Sequence, residues 1–420
     1  MKEVLRFPTV EDVRKARENI KNAVYTTPLQ ENHRLSEKFG AKIFLKREDL
    51  QPVRSYKLRG AYHKIKSLYK EGQTGNGVVC ASAGNHAQGV ALACKELQIN
   101  GVIYMPITTP KQKLEQVEMF GGKFVEIRLV GDTFDASKIA AMKFSLQNNS
   151  AFIHPFDDPQ IIEGQGTLAL EILEQTDAKI DYVFIPVGGG GLASGISSVF
   201  SQLSPNTKLI AVEPKGAASL QTSIKAGVNT ELSKIDKFVD GAAVQKVGDF
   251  TFEICQKFLS DFITVDEGKV CDTILQLYNK DAMVLEPAGA LSISALEQYA
   301  NKIKGKNVVC IVSGSNNDIT RMEEIKERAL LYKGLKHYFL VKFPQRPGAL
   351  KEFVLHVLGE KDDIAFFEYT KKNSRETAMA TVGIELVDHS DFDGLVGRMK
   401  KRGYFESYLN DNPNILNVLV

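Results

Sequence analysis

Lys57, in KREDLQPVRSYKLRGA (46–61), stands ahead of two glycine-rich loops, SAGNHAQG (82–89) and VGGGGLASG (187–195). A lysine amine can condense with an aldehyde, and backbone N–H groups in glycine loops can hold a phosphate and a carboxylate. A lone lysine near a serine is ordinarily a solvated surface charge, so the neighbourhood decides. Here AKIFLKREDL reads as a strand with its polar exit, QPVRS as a proline-marked turn, and KLRGAYHKIKSLYK as the start of an amphipathic helix. Lys57 therefore falls at a strand-to-helix junction. A cation near a helix N-terminus is disfavoured, which keeps the amine closer to neutral than a free lysine of pKa about 10.4.

The run Gly188, Gly189, Gly190, Gly191 and Leu192 follows the strand DYVFIPV and opens the helix LASGISSVFSQL. Four glycines alone fit a tight turn as well as a ligand loop. Their place at a helix N-terminus favours the ligand, because several N–H groups can be aimed at one phosphate. The run lacks the GxGxxG spacing of a dinucleotide site. In SAGNHAQG the residues Ser82, Ala83, Gly84, Asn85 and His86 offer the same N–H-rich helix start to a carboxylate, with the Ser82 hydroxyl as a further donor. His86 reads as a structural loop residue rather than a base. Ser313, in VVCIVSGSNND (308–318), again leaves a buried strand into small polar residues. Glu286, in VLEPAGAL, is either a helix-start acid or a pocket wall. Glu213, in AVEPKGAAS, is a single carboxylate and gives thin support for a divalent ion, so no metal is expected.

These residues need a scaffold, and the chain is long enough to build one. At 420 residues it exceeds the size at which a single core stops growing. With 43% hydrophobic and 25% charged residues it has the make-up of an ordinary soluble protein. A net charge of +2 gives no electrostatic reason for nucleic acid or an anionic membrane as partner. The cysteines Cys80, Cys94, Cys255, Cys271 and Cys310 form no CxxC pair and sit in apolar or helical contexts, so buried structural thiols and a reducing, cytoplasmic setting are expected. The N-terminal stretch, charged throughout, lacks the apolar core of a secretory signal, and no apolar run approaches membrane-spanning length.

Strand-like runs recur at 41–46, 77–82, 101–106, 123–130, 181–187, 208–214, 261–265 and 307–314 with amphipathic stretches between them. That alternation predicts an α/β protein with mainly parallel sheets covered by helices. Beyond about residue 330 the order becomes strand, helix, strand, strand, helix, strand, the ferredoxin-like pattern of an α+β module.

With these residues on the page, the sequence resembles the serine/threonine dehydratases among the fold-type II pyridoxal-phosphate enzymes. Glu48, Val53, Ser55, Tyr56, Lys57, Leu58, Arg59, Gly60 and Ala61 carry the likeness to the family's attachment pattern. The resemblance implies two open, twisted sheet domains of the tryptophan synthase β kind within 1–330, the smaller at about 55–152 inserted in the larger. It implies that Lys57 attaches pyridoxal 5'-phosphate and that Gly188 to Leu192 cradle its phosphate. Asn85 would bond its phenolic oxygen, Ser313 its ring nitrogen, and residues 82–86 the substrate carboxylate. Ala83 stands where a related racemase has a second serine, so dehydration of an L-amino acid is favoured over racemisation.

FPQRPGALKEF (343–353) and DNPNILNVLV (411–420) resemble an ACT-like regulatory domain, placed at 335–415. The resemblance implies L-threonine as substrate, with L-serine beside it, isoleucine as an effector, and a homotetramer. A catabolic serine/threonine dehydratase, a β-replacement synthase and a non-catalytic amino-acid sensor stay open as alternatives.

Overall fold

The computed structural model describes residues 6–369 and 377–412. The chain divides into two units, Met1–Asp318 and Ile319–Val420.

The first unit carries two sheets. The larger has the order β1-β2-β10-β7-β8-β9, built from Leu29–Glu31, Lys42–Arg47, Asn307–Val312, Tyr182–Pro186, Lys208–Pro214 and Asp261–Val265. All its pairings are parallel except that of β1 with β2. The smaller, of order β5-β4-β3-β6, is wholly parallel and uses Val125–Leu129, Gly101–Met105, Val78–Ala81 and Ala151–Phe152. In β3 and β7 every residue is buried, as expected of strands covered on both faces. The predicted strands form, and β1 and β6 are additional ones, three and two residues long.

Three helices of this unit meet almost backbone to backbone. On Pro159–Glu174, which starts at proline and is capped by Asp158, a Cβ at Gly164 would stand 2.6 Å from the Gly60 Cα in Lys57–Lys70. A Cβ at Gly195, in Gly191–Leu203, would stand 2.5 Å from the Gly166 backbone nitrogen. The helix Pro159–Glu174 thus touches both the lysine helix and the helix that follows the glycine run. No helix among the described residues is long and apolar enough to cross a membrane, and the five cysteines are buried and form no disulfide.

In the second unit β11 (Lys336–Pro344), β12 (Asp363–Tyr369), β13 (Thr377–Glu385) and β14 (Phe405–Tyr408) form an antiparallel sheet of order β12-β13-β11-β14. The helices Ala349–His356 and Phe392–Lys401 follow β11 and β13, so the strand–helix order is the predicted ferredoxin-like one. Phe339, Val341, Phe353, Val382, Leu395 and Met399 are fully buried in its core. Gly348 takes φ +87° ahead of the first of these helices, a left-handed turn that suits glycine. Arg346 beside it pairs with Glu352 at 2.7 Å on the surface. The end of DNPNILNVLV, residues 413–420, lies outside the described residues.

Candidate active site

Lys57 is the first residue of its helix, with Tyr56 as the preceding cap. Strand β2 ends at Arg47, and the segment between turns through Arg54, whose φ of +57° is left-handed. This segment lies against the exit of β10. Ser55 bridges Gly314, the Tyr56 N–H donates to the Ser313 carbonyl at 3.2 Å, and the Ser315 N–H donates to the Arg54 carbonyl at 2.9 Å. The predicted lysine and serine are therefore brought together by backbone pairing, and Ser313 is buried there.

The lysine amine, Nζ, donates to the Pro155 carbonyl at 2.8 Å. Burial lowers it to about 8, against the opposing pull of the Glu286 carboxylate. Burial, more than the helix start invoked from sequence, is what brings the amine towards neutrality.

Pro155 belongs to a loop, 154–158, that sequence reasoning missed. Phe156 lies against the glycine run: a Cβ on Gly189 would stand 2.2 Å from the Phe156 ring, and one on Gly191 would stand 3.0 Å from the Phe156 carbonyl oxygen. The neighbouring Asp157 accepts backbone N–H bonds from Asp249, Phe250 and Thr251 at 3.0 to 3.1 Å, capping the helix Asp249–Phe258. Thr251 in turn donates its hydroxyl to the Gly189 carbonyl at 2.7 Å. One loop thus supports both the lysine amine and the glycine run.

Gly190 adopts φ +90°, where a side chain would be strained, and the helix Gly191–Leu203 begins immediately after it. The first-turn N–H groups of that helix have no partner further back along it, so they are available to an anion.

The loop of residues 82–86 opens the helix Asn85–Leu97. Ser82 accepts the Gly84 N–H at 3.2 Å, and no atom would lie within 4 Å of a Cβ on Gly84, so the loop borders open space. Asn85 reaches both ways. Its Nδ2 donates to Glu286 Oε1 at 2.7 Å, and its Oδ1 accepts from Asn316 Nδ2 at 2.7 Å. Glu286 caps no helix with its side chain, which is buried; burial, with Asp240 nearby, pushes the carboxyl up to about 7. The pocket-wall reading of Glu286 is the one its contacts match. His86 is buried with Nε2 3.0 Å from the Ile153 carbonyl, a contact that calls for a proton on Nε2. Burial and the nearby Lys57 hold its imidazole down at about 3, so it is neutral at pH 7 and only a weak base.

Glu213 caps a helix. Its two carboxylate oxygens accept the Leu220 and Gln221 N–H groups at 2.7 Å, at the start of the helix Ser219–Ala226. Among the described residues no cluster of three or more His, Cys, Asp or Glu side chains could hold a metal ion.

An aldehyde bearing a phosphate and a ring nitrogen fits this donor set. A buried amine near neutrality meets the aldehyde, and a helix start behind a glycine turn meets the phosphate. Two of the buried oxygens that have no hydrogen-bond partner among the described residues, Ser55 Oγ and Asn316 Oδ1, lie in the two segments brought together beside Lys57. Buried polar atoms of this kind are normally satisfied, so these two can accept a further polar group.

Comparisons with known proteins agree with the geometry. A family model described as pyridoxal-phosphate dependent enzyme matches residues 20–314, and one described as the C-terminal regulatory domain of threonine dehydratase matches residues 327–419. The chain is 53% identical over 411 residues to the L-threonine dehydratase biosynthetic IlvA of Halalkalibacterium halodurans, covering 98% of this chain and 99% of the relative. It is 56% identical over 411 residues to the protein of the same name from Bacillus subtilis, covering 98% and 97%. Among solved structures, the processed form of threonine deaminase isoform 2 from Solanum lycopersicum is similar with a TM-score of 0.72 at 40% identity, over 77% of this chain and 95% of that one.

Proposed function

Because the chain belongs to the threonine dehydratases within the pyridoxal-phosphate dependent enzymes, we propose that Lys57 is the residue on which its reaction turns. The activity is that of a threonine ammonia-lyase: L-threonine is converted to 2-oxobutanoate and ammonia by β-elimination, at the head of isoleucine biosynthesis from threonine. Atoms balance, since the water lost with the β-hydroxyl returns when the nitrogen leaves. The observation that carries the assignment of roles is the Lys57 amine, brought down to about 8 and held by Pro155 where three loops meet.

Pyridoxal phosphate, when bound, supplies an electron-withdrawing ring that makes the substrate Cα–H acidic. Lys57 would hold the cofactor at its aldehyde, and its Nζ, when free, is the group that would take the substrate Cα proton. Near pH 7 an amine of pKa about 8 is neutral in roughly one molecule in ten, against fewer than one in a thousand for a free lysine. Residues 188–192 would hold the phosphate at the helix start, and Ser313, a neutral hydroxyl, would face the ring nitrogen without fixing a proton on it. Asn85, oriented by Asn316 and Glu286, would donate to the phenolic oxygen. Ser82 and the residues 83–86 receive the substrate carboxylate. Ala83 has no group that can move a proton, which restricts the chemistry to one face.

Regulation by isoleucine through the second unit, a homotetramer and a cytoplasmic location complete the reading. Inhibition requires isoleucine to bind the less active state more tightly than the active one.

Lys57→Ala is expected to abolish turnover and the visible absorbance of the lysine-bound cofactor; retained activity would overturn the assignment. Titrating 2-oxobutanoate formation with isoleucine and with valine tests the regulatory reading, and parallel rates on threonine and serine test the substrate.

A further inference from the structure

Arg59, two residues beyond Lys57 on the same helix, is fully buried together with Glu48, Lys46 and nearly all of Glu171. Every N–H of its guanidinium has an acceptor. Nε and Nη2 donate to the two oxygens of Glu48 at 2.7 Å, Nη1 and Nη2 donate to those of Glu171 at 2.6 and 2.9 Å, and Nη1 also reaches the Thr167 hydroxyl at 3.0 Å. Lys46 closes the set, donating to Glu171 at 2.6 Å, to the Thr27 carbonyl at 2.6 Å and to Gln175 at 2.9 Å. Two cations face two carboxylates, so the cluster is neutral and saturated.

Buried ion pairs of this kind are poor sources of stability, because desolvation consumes most of the attraction and apolar replacements are often as stable. What the cluster does supply is direction. A guanidinium held bidentately on both sides admits one orientation, unlike an apolar side chain or an ammonium.

The placement of its members shows what is oriented. Glu48 and Arg59 sit at the two ends of the segment that leaves β2, turns at Arg54 and delivers Lys57, and their pairing closes that segment at its base. Inside it, Gln51 donates to Glu48 at 3.3 Å and to the Tyr25 carbonyl at 2.8 Å. Glu171 anchors the assembly to the helix Pro159–Glu174, where Gly164 and Gly60 let the two backbones touch. That same helix contacts Gly191–Leu203 through Gly166 and Gly195, so one rigid element relates the lysine to the glycine run.

We propose that Arg59, gripped by Glu48 and Glu171, is a positioning residue that fixes the start of the lysine helix and so aims the Lys57 amine at the cofactor aldehyde and the substrate Cα. The inference rests on the reading of Lys57 as the attachment lysine.

Two variants test it, Arg59→Lys, which keeps the charge and loses the fork, and the isosteric Glu171→Gln. Apo-protein of each is mixed with pyridoxal phosphate, and the rate of attachment is followed by absorbance and by borohydride trapping mapped to Lys57. kcat and KM for threonine and the apo-protein Tm are measured alongside. The expected result is a fall of about tenfold or more in both attachment rate and kcat, with KM within about twofold of wild type. Attachment rate and kcat at wild-type values in variants whose Tm has dropped would reduce Arg59 to a structural role and overturn the proposal. Where Arg59→Lys does not accumulate as folded protein, the same rates on Glu171→Gln decide. Cofactor attachment that survives in Lys57→Ala would instead remove the reading of Lys57, whatever the Arg59 variants do.

Discussion

Lys57→Met should make the cofactor-free protein more stable, even though it destroys the site. In the unfolded chain the amine has an ordinary pKa of 10.5, and in the folded chain burial brings it to about 8. A gap of about 2.5 units corresponds to about 3 kcal/mol, which folding must spend at neutral pH to bury a group that water prefers charged. Methionine matches the length of the lysine stem and carries no charge, so it removes that cost. It also removes the hydrogen bond to the Pro155 carbonyl, which offsets about 1 kcal/mol. The net expectation is a gain of about 2 kcal/mol near pH 7.

The sign of the pH dependence follows from the direction of the shift. Between about 8 and 10.5 the unfolded wild-type chain binds more protons than the folded one, so wild-type stability rises through that window relative to the variant. The gap between the two proteins is therefore full below about 8 and closes towards 10.5. Urea unfolding of both apo-proteins at pH 7 and pH 10, followed by far-ultraviolet circular dichroism, measures it. Equal stabilities at pH 7, or a gap that stays constant up to pH 10, would refute the burial argument and with it the account of why this lysine is reactive.

Gly189→Ala would push a Cβ to within 2.2 to 2.5 Å of the Phe156 ring, so the loop that carries Pro155 must shift; cofactor titration of the apo-protein should show about tenfold or more loss of affinity, partly restored by Phe156→Leu. Unchanged affinity would mean the loop yields freely. Asp157→Ala leaves three N–H groups at the start of Asp249–Phe258 without their acceptor and should cost about 1 to 2 kcal/mol, read as a lowered Tm. The five cysteines are buried, and burial lifts the thiols of Cys94 and Cys255 to about 12, so a thiol reagent should find none in the native protein and all five in denaturant. A native thiol that reacts within seconds would contradict that burial.

The strands and the ferredoxin-like tail were legible because apolar runs and their spacing are local signals. β1 and β6 were not, being three and two residues long and lying at sheet edges where little apolar area is buried. In the site, Lys57, Asn85, Ser313 and the glycine run announced themselves by motif, and the structure places each on a loop or helix start. The 154–158 loop gave no such signal, since what Pro155 offers is a backbone oxygen and what Asp157 offers goes to N–H groups 92 to 94 residues away. Glu286 could be narrowed only to two readings, because its helix-start position and its contact with Asn85, 201 residues distant, are equally compatible with the sequence around it. The Arg59 cluster likewise joins residues separated by 108 and 112 positions, beyond any local pattern.

The acceptor that holds the Lys57 amine is the main-chain oxygen of Pro155. Every amino acid carries that oxygen, so no point mutation can delete it; only a change in the path of the chain can withdraw it. His154 and Phe156 on either side hold that path, since the His154 Nδ1 accepts the Phe156 and Asp157 N–H groups at 3.3 and 2.7 Å and the Phe156 ring fills the space over Gly189. A loop built this way ties the lysine to the path of the main chain, so the side chains that hold that path, rather than any that touches the amine, decide whether the partner stays in reach.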